Sequence, residues 1–273
     1  DPDNVIEEYN SDIDKWLTGV DLAIVFDIGD FKRTGKIGEI VKSSSKLVCI
    51  DHHPPKDDHP FEINIVDVDA PATGYLIWKY FEYINYSKED KLPLKIANGL
   101  YTSLVTDTGS FKYQSTTSDT HIMAADLLKS GVDGYDIQRS IYEQQPISQI
   151  RLLGLALSNL NFSKNGKVVW IIINDKMLEK ANATEDDAGG FTEYLRMIEN
   201  VEVSYMLRYV NNNHRVNFRS SGNIIINDIA QFFGGGGHKY AAGARVQDMN
   251  TDDIIRNINN LLGKKILGEF NVD

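Results

Sequence analysis

Two hydrophobic patterns alternate along the first half of the chain. Leu22-Ala-Ile-Val-Phe26 and Lys46-Leu-Val-Cys-Ile50 are short apolar runs of the length and composition of buried strands. Between them, residues 35–42 carry Ile37, Ile40 and Val41 at helical spacing. Strand, helix and strand with short links make a βαβ unit, which predicts parallel strands and a right-handed crossover. Each strand runs out into an aspartate, Asp27 and Asp51. Open α/β sheets bind ligands just outside the carboxyl ends of their strands, so both carboxylates are expected at one crevice.

The pattern then turns helical. Residues 72–86 read as an apolar, aromatic helix, with Tyr75, Trp78, Tyr80, Phe81 and Tyr83 as core rather than a base-stacking platform. A helix over 93–106 breaks at Asp107-Thr-Gly109, and another over 118–130 closes at Gly131. A polar helical stretch from Tyr135 to about Leu160, interrupted by Pro146, reads as a connection. Beyond it the period falls to two. Residues 167–173 predict a strand, while 201–207 and 214–219, joined by Asn211-Asn-Asn213, predict a hairpin. A helix near 224–233 runs into Gly234-Gly-Gly-Gly237. The expected fold is α/β: a parallel-sheet domain over 1–134, a helical connection over 135–160 and a smaller α+β domain over 161–273.

Composition narrows the class. At 42% hydrophobic and 25% charged residues, the 273-residue chain is globular rather than disordered or collagenous. It has no apolar run long enough to span a membrane, and its acidic first residues do not resemble a signal peptide. Cys49 is the single cysteine, which excludes a disulfide framework and a Cys-rich zinc site and favours a reducing cytoplasm. In that setting the sequons at Asn85, Asn161 and Asn182 are chance matches. The net charge of −11 argues against a surface for long duplex nucleic acid. It leaves room for short nucleotides in a local pocket, and for metal-binding carboxylates.

Asp51-His52-His53 at a strand end is the sharpest chemical signal, because Asp and His suit Mn²⁺, Fe²⁺ or Zn²⁺. The bland alternative is a polar loop. Asp27 and Asp107 would each pass alone for a turn residue. Together with the histidines they make a two-metal hydrolytic site the economical reading. Gly234–Gly237 followed by His238 would let backbone N–H groups approach a phosphate, and Arg219-Ser220 would add a fork donor. His59, His121 and His214 read as ordinary surface or helix histidines.

Taken together, LAIVFDIGDFKR (22–33), CIDHH (49–53), DAPATGYLIW (69–78), GLYTSLVTDTGSFKY (99–113) and FRSSGNIIINDIAQFFGGGGHKYAAG (218–243) resemble the DHH phosphoesterase family with its DHH-associated C-terminal domain. The resemblance spans nearly the whole chain and is strongest to the bacterial oligoribonuclease and pAp-phosphatase branch. It implies Asp27 bridging two Mn²⁺ ions, His52 and Asp107 on the second ion, and His53 at the scissile phosphate or as general acid. Asp51 would orient the histidines. Arg219, Ser220, Gly235, Gly236, Gly237 and His238 would hold the substrate's terminal nucleotide or phosphate, with Lys112 a weaker phosphate candidate. Family members open with a His-x-x-x-Asp-x-Asp motif, and none precedes Asp27. The expectation is therefore a pattern entered part-way, short of ligands for one metal and with one sheet face uncovered.

The implied activity is metal-dependent hydrolysis of short oligoribonucleotides or of the bisphosphate pAp. A phosphodiesterase for linear dinucleotides such as pApA and a non-catalytic nucleotide-binding module are the alternatives. A homodimer is open on this evidence.

Overall fold

A computed structural model describes residues 6–43, 45–55, 59–84, 91–210 and 213–266. The chain forms two compact units, Asp1–Glu143 and Gln144–Asp273.

The first unit carries three parallel strands in the order β1 (Leu22–Phe26), β2 (Lys46–Asp51), β3 (Ile63–Val66). Leu22 lies opposite Lys46, and Val48 opposite Ile63. On one face Ala23 and Leu47 pack with Leu17 of α1 (Asp14–Leu17) and with Ile37, Ile40 and Val41 of α2 (Gly35–Val41). The element order and parallel pairing expected for 22–50 describe the structure, but β1 is not the buried strand expected, since its residues alternate between exposed and half-buried; β3, only four residues long, carried no strand signal. On the other face Leu22, Ile24, Phe26, Ile63 and Ile65 remain 45–55% exposed.

Four helices follow: α3 (Thr73–Tyr83), α4 (Leu94–Asp107), α5 (Ser118–Lys129) and α6 (Gly134–Tyr142). They bury Trp78, Leu104, Met123 and Leu127 in a core of their own. Thr117 and Thr120 cap α5 reciprocally. The aromatic reading of α3 needs correction, since Tyr80 and Tyr83 are exposed. Helical spacing turns Tyr75, Trp78 and Phe81 to the core and these two away from it.

The stretch 135–160 is not a separate connection. α6 belongs to the first unit, where the Tyr142 hydroxyl donates to the Val105 carbonyl (3.2 Å). α7 (Ile147–Leu157), started by Pro146, buries Leu152 and Ala156 in the second unit. Buried Leu152 and Ala156 tie α7 to the second unit, whereas α6 buries no residue fully and packs on the first unit through the half-buried Ile137 and Ile141.

The second unit is built on a six-stranded sheet ordered β4 (Asn161–Phe162), β5 (Val168–Asn174), β6 (Val203–Val210), β7 (Asn213–Ser220), β9 (Ala241–Val246), β8 (Gly236–His238). β5 and β6 are parallel and the other pairs antiparallel. β6 and β7 form the expected hairpin, though its turn residues 211–212 lie outside the described residues. α7, α8 (Asp175–Ala181) and α9 (Phe191–Arg196) pack on Val169, Ile171, Ile173 and Met206. α10 (Asn227–Phe232) and α11 (Thr251–Ile266) pack on Tyr205, Val216 and Phe218 from the opposite side. His214 is no surface histidine. It is buried, stacks on Tyr209 and meets the Thr251 hydroxyl through Nε2 (2.9 Å), and burial lowers its pKa. No helix among the described residues is long and apolar enough to cross a membrane.

Candidate active site

The strand ends of the first unit bring Asp27, Asp51, His52 and His53 together, and the last residue of α4 adds Asp107. Asp27 follows β1 with φ 56°, a left-handed conformation that non-glycine residues seldom adopt. Its amide donates to the Ile50 carbonyl (3.2 Å), and its Oδ1 accepts from the Thr73 hydroxyl (2.9 Å) at the start of α3.

Asp51 organises the site. Its Oδ2 accepts from the amides of Ile28 and Gly29, at 3.0 and 2.7 Å. Its Oδ1 accepts from the His53 amide (2.9 Å) and from His53 Nδ1 (2.7 Å). Burial works to raise the Asp51 pKa, yet the hydrogen bonds from His53 and Gly29 hold it well below the ordinary carboxylate range. The same bond from Asp51 raises the His53 pKa, against its desolvation. Gly29 (φ +62°) is required here because a Cβ would lie 3.2 Å from the His53 ring.

The tautomers follow from the partners. His52 Nδ1 is 3.1 Å from the Ala70 carbonyl, which can only accept, so Nδ1 carries a proton and Nε2 is the ring nitrogen left to face the carboxylates. That Nε2 lies 3.5 Å from Asp27 Oδ1 and 3.9 Å from Asp107 Oδ2. One donor atom from each of Asp27, His52 and Asp107 lies within 4.8 Å of the others. Burial pushes the Asp107 carboxyl up to about 6, with the neighbouring charge of Asp27 adding to it and His52 and His53 opposing. Two converging carboxylates and one imidazole nitrogen form a donor set that fits a divalent cation. Asp27, Asp51 and His53 form a second such group. In it both Asp51 oxygens are already engaged by protein donors, as suits a positioning residue.

The second unit holds the remaining expected residues. Arg219 lies opposite Ala241, which lies opposite His238, so Arg219 and His238 share a row on one sheet face. Arg219 Nε is bonded to Glu193 Oε1 (2.7 Å), and Nη1 to the Phe218 carbonyl (3.0 Å). Ser220 alternates to the opposite face, where it is buried and its Oγ accepts from the Gly222 amide (3.2 Å); the structure does not bring it to Arg219. The glycine run is not all loop, because Gly236 and Gly237 belong with His238 to β8. A Cβ at Gly235 or Gly237 would come within 2.1 Å of the Gly243 carbonyl or 2.5 Å of the Ala241 carbonyl, so these glycines let β8 approach β9. A Cβ at Gly236 would meet open space on the Arg219 face.

Sequence reasoning missed Thr73, the Ala70 carbonyl and Glu193. Only Thr73 carried a local signal, as a small polar residue opening an apolar helix.

Carboxylates and imidazoles gathered at the ends of parallel strands, in a chain with a second α+β unit, define a two-unit α/β protein with a candidate metal-binding site. Residues 162–264 match the DHHA1 domain. The bifunctional oligoribonuclease and PAP phosphatase NrnA of Thermus thermophilus is 29% identical over 254 residues, covering 92% of this chain and 73% of the relative. The protein of the same name from Bacillus subtilis is 31% identical over 216 residues, covering 78% and 66%. The crystal structure of an exopolyphosphatase-related protein from Bacteroides fragilis superposes with a TM-score of 0.85 at 28% identity, covering 96% of this chain and 77% of that one. The chain belongs to the DHH family of phosphoesterases.

Proposed function

We propose that the protein is a cytoplasmic, Mn²⁺-dependent phosphohydrolase that cleaves short oligoribonucleotides and removes phosphate from pAp. The observation that carries this reading is the convergence of Asp27, Asp107 and Nε2 of His52 beside a histidine locked to a carboxylate. Asp27, His52 and Asp107 would hold the cation. When bound, it supplies Lewis acidity toward a phosphoryl oxygen and toward water.

The chain's own groups do the rest. Ala70 and Thr73 keep His52 and Asp27 aimed at the site. Asp51 holds His53 through Nδ1, so Nε2 is the His53 atom that can meet the phosphate. Because Asp51 favours the charged imidazole, His53 Nε2 carries a proton for the scissile phosphate or for the departing oxygen. In the second unit Arg219 and His238 present donors on one face, suited to a terminal phosphate. A substrate this short needs only such a local anchor, in keeping with the net charge of −11.

The test is Mn²⁺-dependent phosphate and nucleotide release from pAp, pApA and longer oligoribonucleotides side by side. Turnover of pAp and the oligomers that chelation abolishes is the expected result. Cleavage of pApA alone would make the protein a dinucleotide phosphodiesterase. Binding without any turnover would make it a nucleotide-binding module.

A further inference from the structure

The three groups that converge on the cation site are not held alike. Asp27 Oδ1 accepts from the Thr73 hydroxyl, and His52 Nδ1 donates to the Ala70 carbonyl. Among the described residues no hydrogen bond holds the Asp107 carboxylate, which lies 3.9 Å from His52 Nε2. Its aim therefore depends on the main chain at the end of α4.

That main chain has an unusual course. Gly109 (φ +55°) ends α4 in the ordinary way. Its amide donates to the Thr106 carbonyl (3.1 Å), and the Ser110 amide donates to the Val105 carbonyl (2.7 Å). One left-handed residue completes such a cap. Here two more follow, Ser110 (φ 59°) and Phe111 (φ 64°), and neither is a glycine. Residues with a Cβ visit this region singly and at a cost, so their surroundings must hold them. Phe111 is held close to home. Its amide donates to the Thr108 hydroxyl (3.0 Å), and its ring packs on the helical core and stacks on His121. Ser110 is held from 28 residues away. Gln138 of α6 donates from Nε2 to Ser110 Oγ (2.8 Å) and accepts from the same hydroxyl at Oε1 (3.1 Å). One turn further along α6, the Tyr142 hydroxyl donates to the Val105 carbonyl (3.2 Å), the acceptor that the Ser110 amide also uses. α6 thus grips both ends of the hydrogen bond that closes the turn behind Asp107.

We propose that Gln138 is a positioning residue for Asp107. By fixing Ser110 in the left-handed conformation, it sets the direction in which α4 ends. With that it sets the reach of the Asp107 carboxylate toward Asp27 and His52. Tyr142 supports the same turn from the same face of α6. Gln138 acts through Ser110 and not on the cation or the substrate. The proposal rests on the reading that Asp107 belongs to the cation's donor set.

The test is the Mn²⁺ affinity of the full chain by titration calorimetry, with thermal unfolding and steady-state kinetics on pAp alongside. Gln138→Ala is expected to weaken Mn²⁺ binding about tenfold, as loss of an orienting partner does. It should also lower kcat while the KM for pAp stays nearly unchanged. A merely structural role would lower the unfolding midpoint and leave the Mn²⁺ affinity of the folded protein where it was. Ser110→Gly in the Gln138→Ala background is the second variant. Glycine takes the left-handed conformation without a Cβ penalty, so the turn no longer needs the clamp and most of the Mn²⁺ affinity should return. Affinity within about twofold of the parent in Gln138→Ala overturns the proposal, and so does a loss that Ser110→Gly fails to reduce. Where Gln138→Ala does not fold, Tyr142→Phe deletes only the hydroxyl on the Val105 carbonyl, and an unchanged Mn²⁺ affinity there overturns the proposal. If Asp107→Ala keeps its Mn²⁺ affinity, the donor-set reading falls and the proposal with it. If Asp107→Ala and Gln138→Ala both weaken Mn²⁺ in a chain that hydrolyses neither pAp nor oligoribonucleotides, the positioning role stands and the phosphohydrolase assignment falls.

Discussion

The two sheets of this protein are stabilised differently. In the second unit α7, α8 and α9 wall one face over β5 and β6, and α10 and α11 wall the other, so Ile171, Tyr205 and Phe218 are fully buried. In the first unit, among the described residues, β1, β2 and β3 are packed by helices on one face, and five large apolar side chains stand about half exposed on the other. Parallel sheets ordinarily bury both faces. The chemical groups follow the same division. The first unit places its carboxylates and imidazoles at strand ends, and hydrogen bonds hold them there. The second presents its arginines from strand faces, where a solid core behind the sheet sets their register. In the first unit Asp51 ties the strand ends together through the amides of Ile28 and Gly29 and through His53.

The comparison breaks most sharply at Asp107. Asp107→Ala should reduce Mn²⁺-dependent turnover about a thousandfold or more while circular dichroism stays that of the parent. Activity within about tenfold would take Asp107 out of the cation's donor set. Next comes the core of the second unit, where Phe218→Ala should cost about 3–5 kcal/mol in urea unfolding. A loss below about 1 kcal/mol would mean that this sheet does not depend on its double cover.

Arg219→Ala should weaken substrate binding by about 1.5–3 kcal/mol, read as a higher KM with kcat largely kept. A fall in kcat at constant KM would contradict anchoring. Asp51→Asn should lower kcat about 10–100-fold, as loss of an orienting partner does. It should also move the pH profile. Asp51 raises the His53 pKa, so activity that needs protonated His53 is lost as pH rises through that raised value. Without the carboxylate the loss should begin at lower pH, and an unmoved alkaline limb would separate Asp51 from the protonation of His53. The smallest effect belongs to the bare face. Ile63→Thr should change stability by less than about 0.5 kcal/mol, since the side chain is already 55% exposed. A large loss there would show that the face is covered in solution.

What the chain determines by itself is what local pattern can encode. The apolar runs ending in Asp27 and Asp51 specify strands with carboxylates at their ends, because run length and strand polarity are read within a few residues, whereas burial is not: β2 buries alternate residues and β1 buries none. The alternation through 203–220 likewise specifies a hairpin with Phe218 inward and Arg219 outward. Only the tertiary structure decided the rest. The His52 tautomer depends on a carbonyl 18 residues away, and the aim of Asp27 on a hydroxyl 46 residues away. The glycine run reads locally as a loop that lets backbone N–H groups approach a phosphate, yet its second half, Gly236 and Gly237, pairs with β9 as a strand. Arg208, Arg215 and Arg245 are unremarkable along the chain, and strand pairing alone lines them up. Periodicity encodes which face a residue takes, whereas register and long-range hydrogen bonds depend on partners that a local window does not contain.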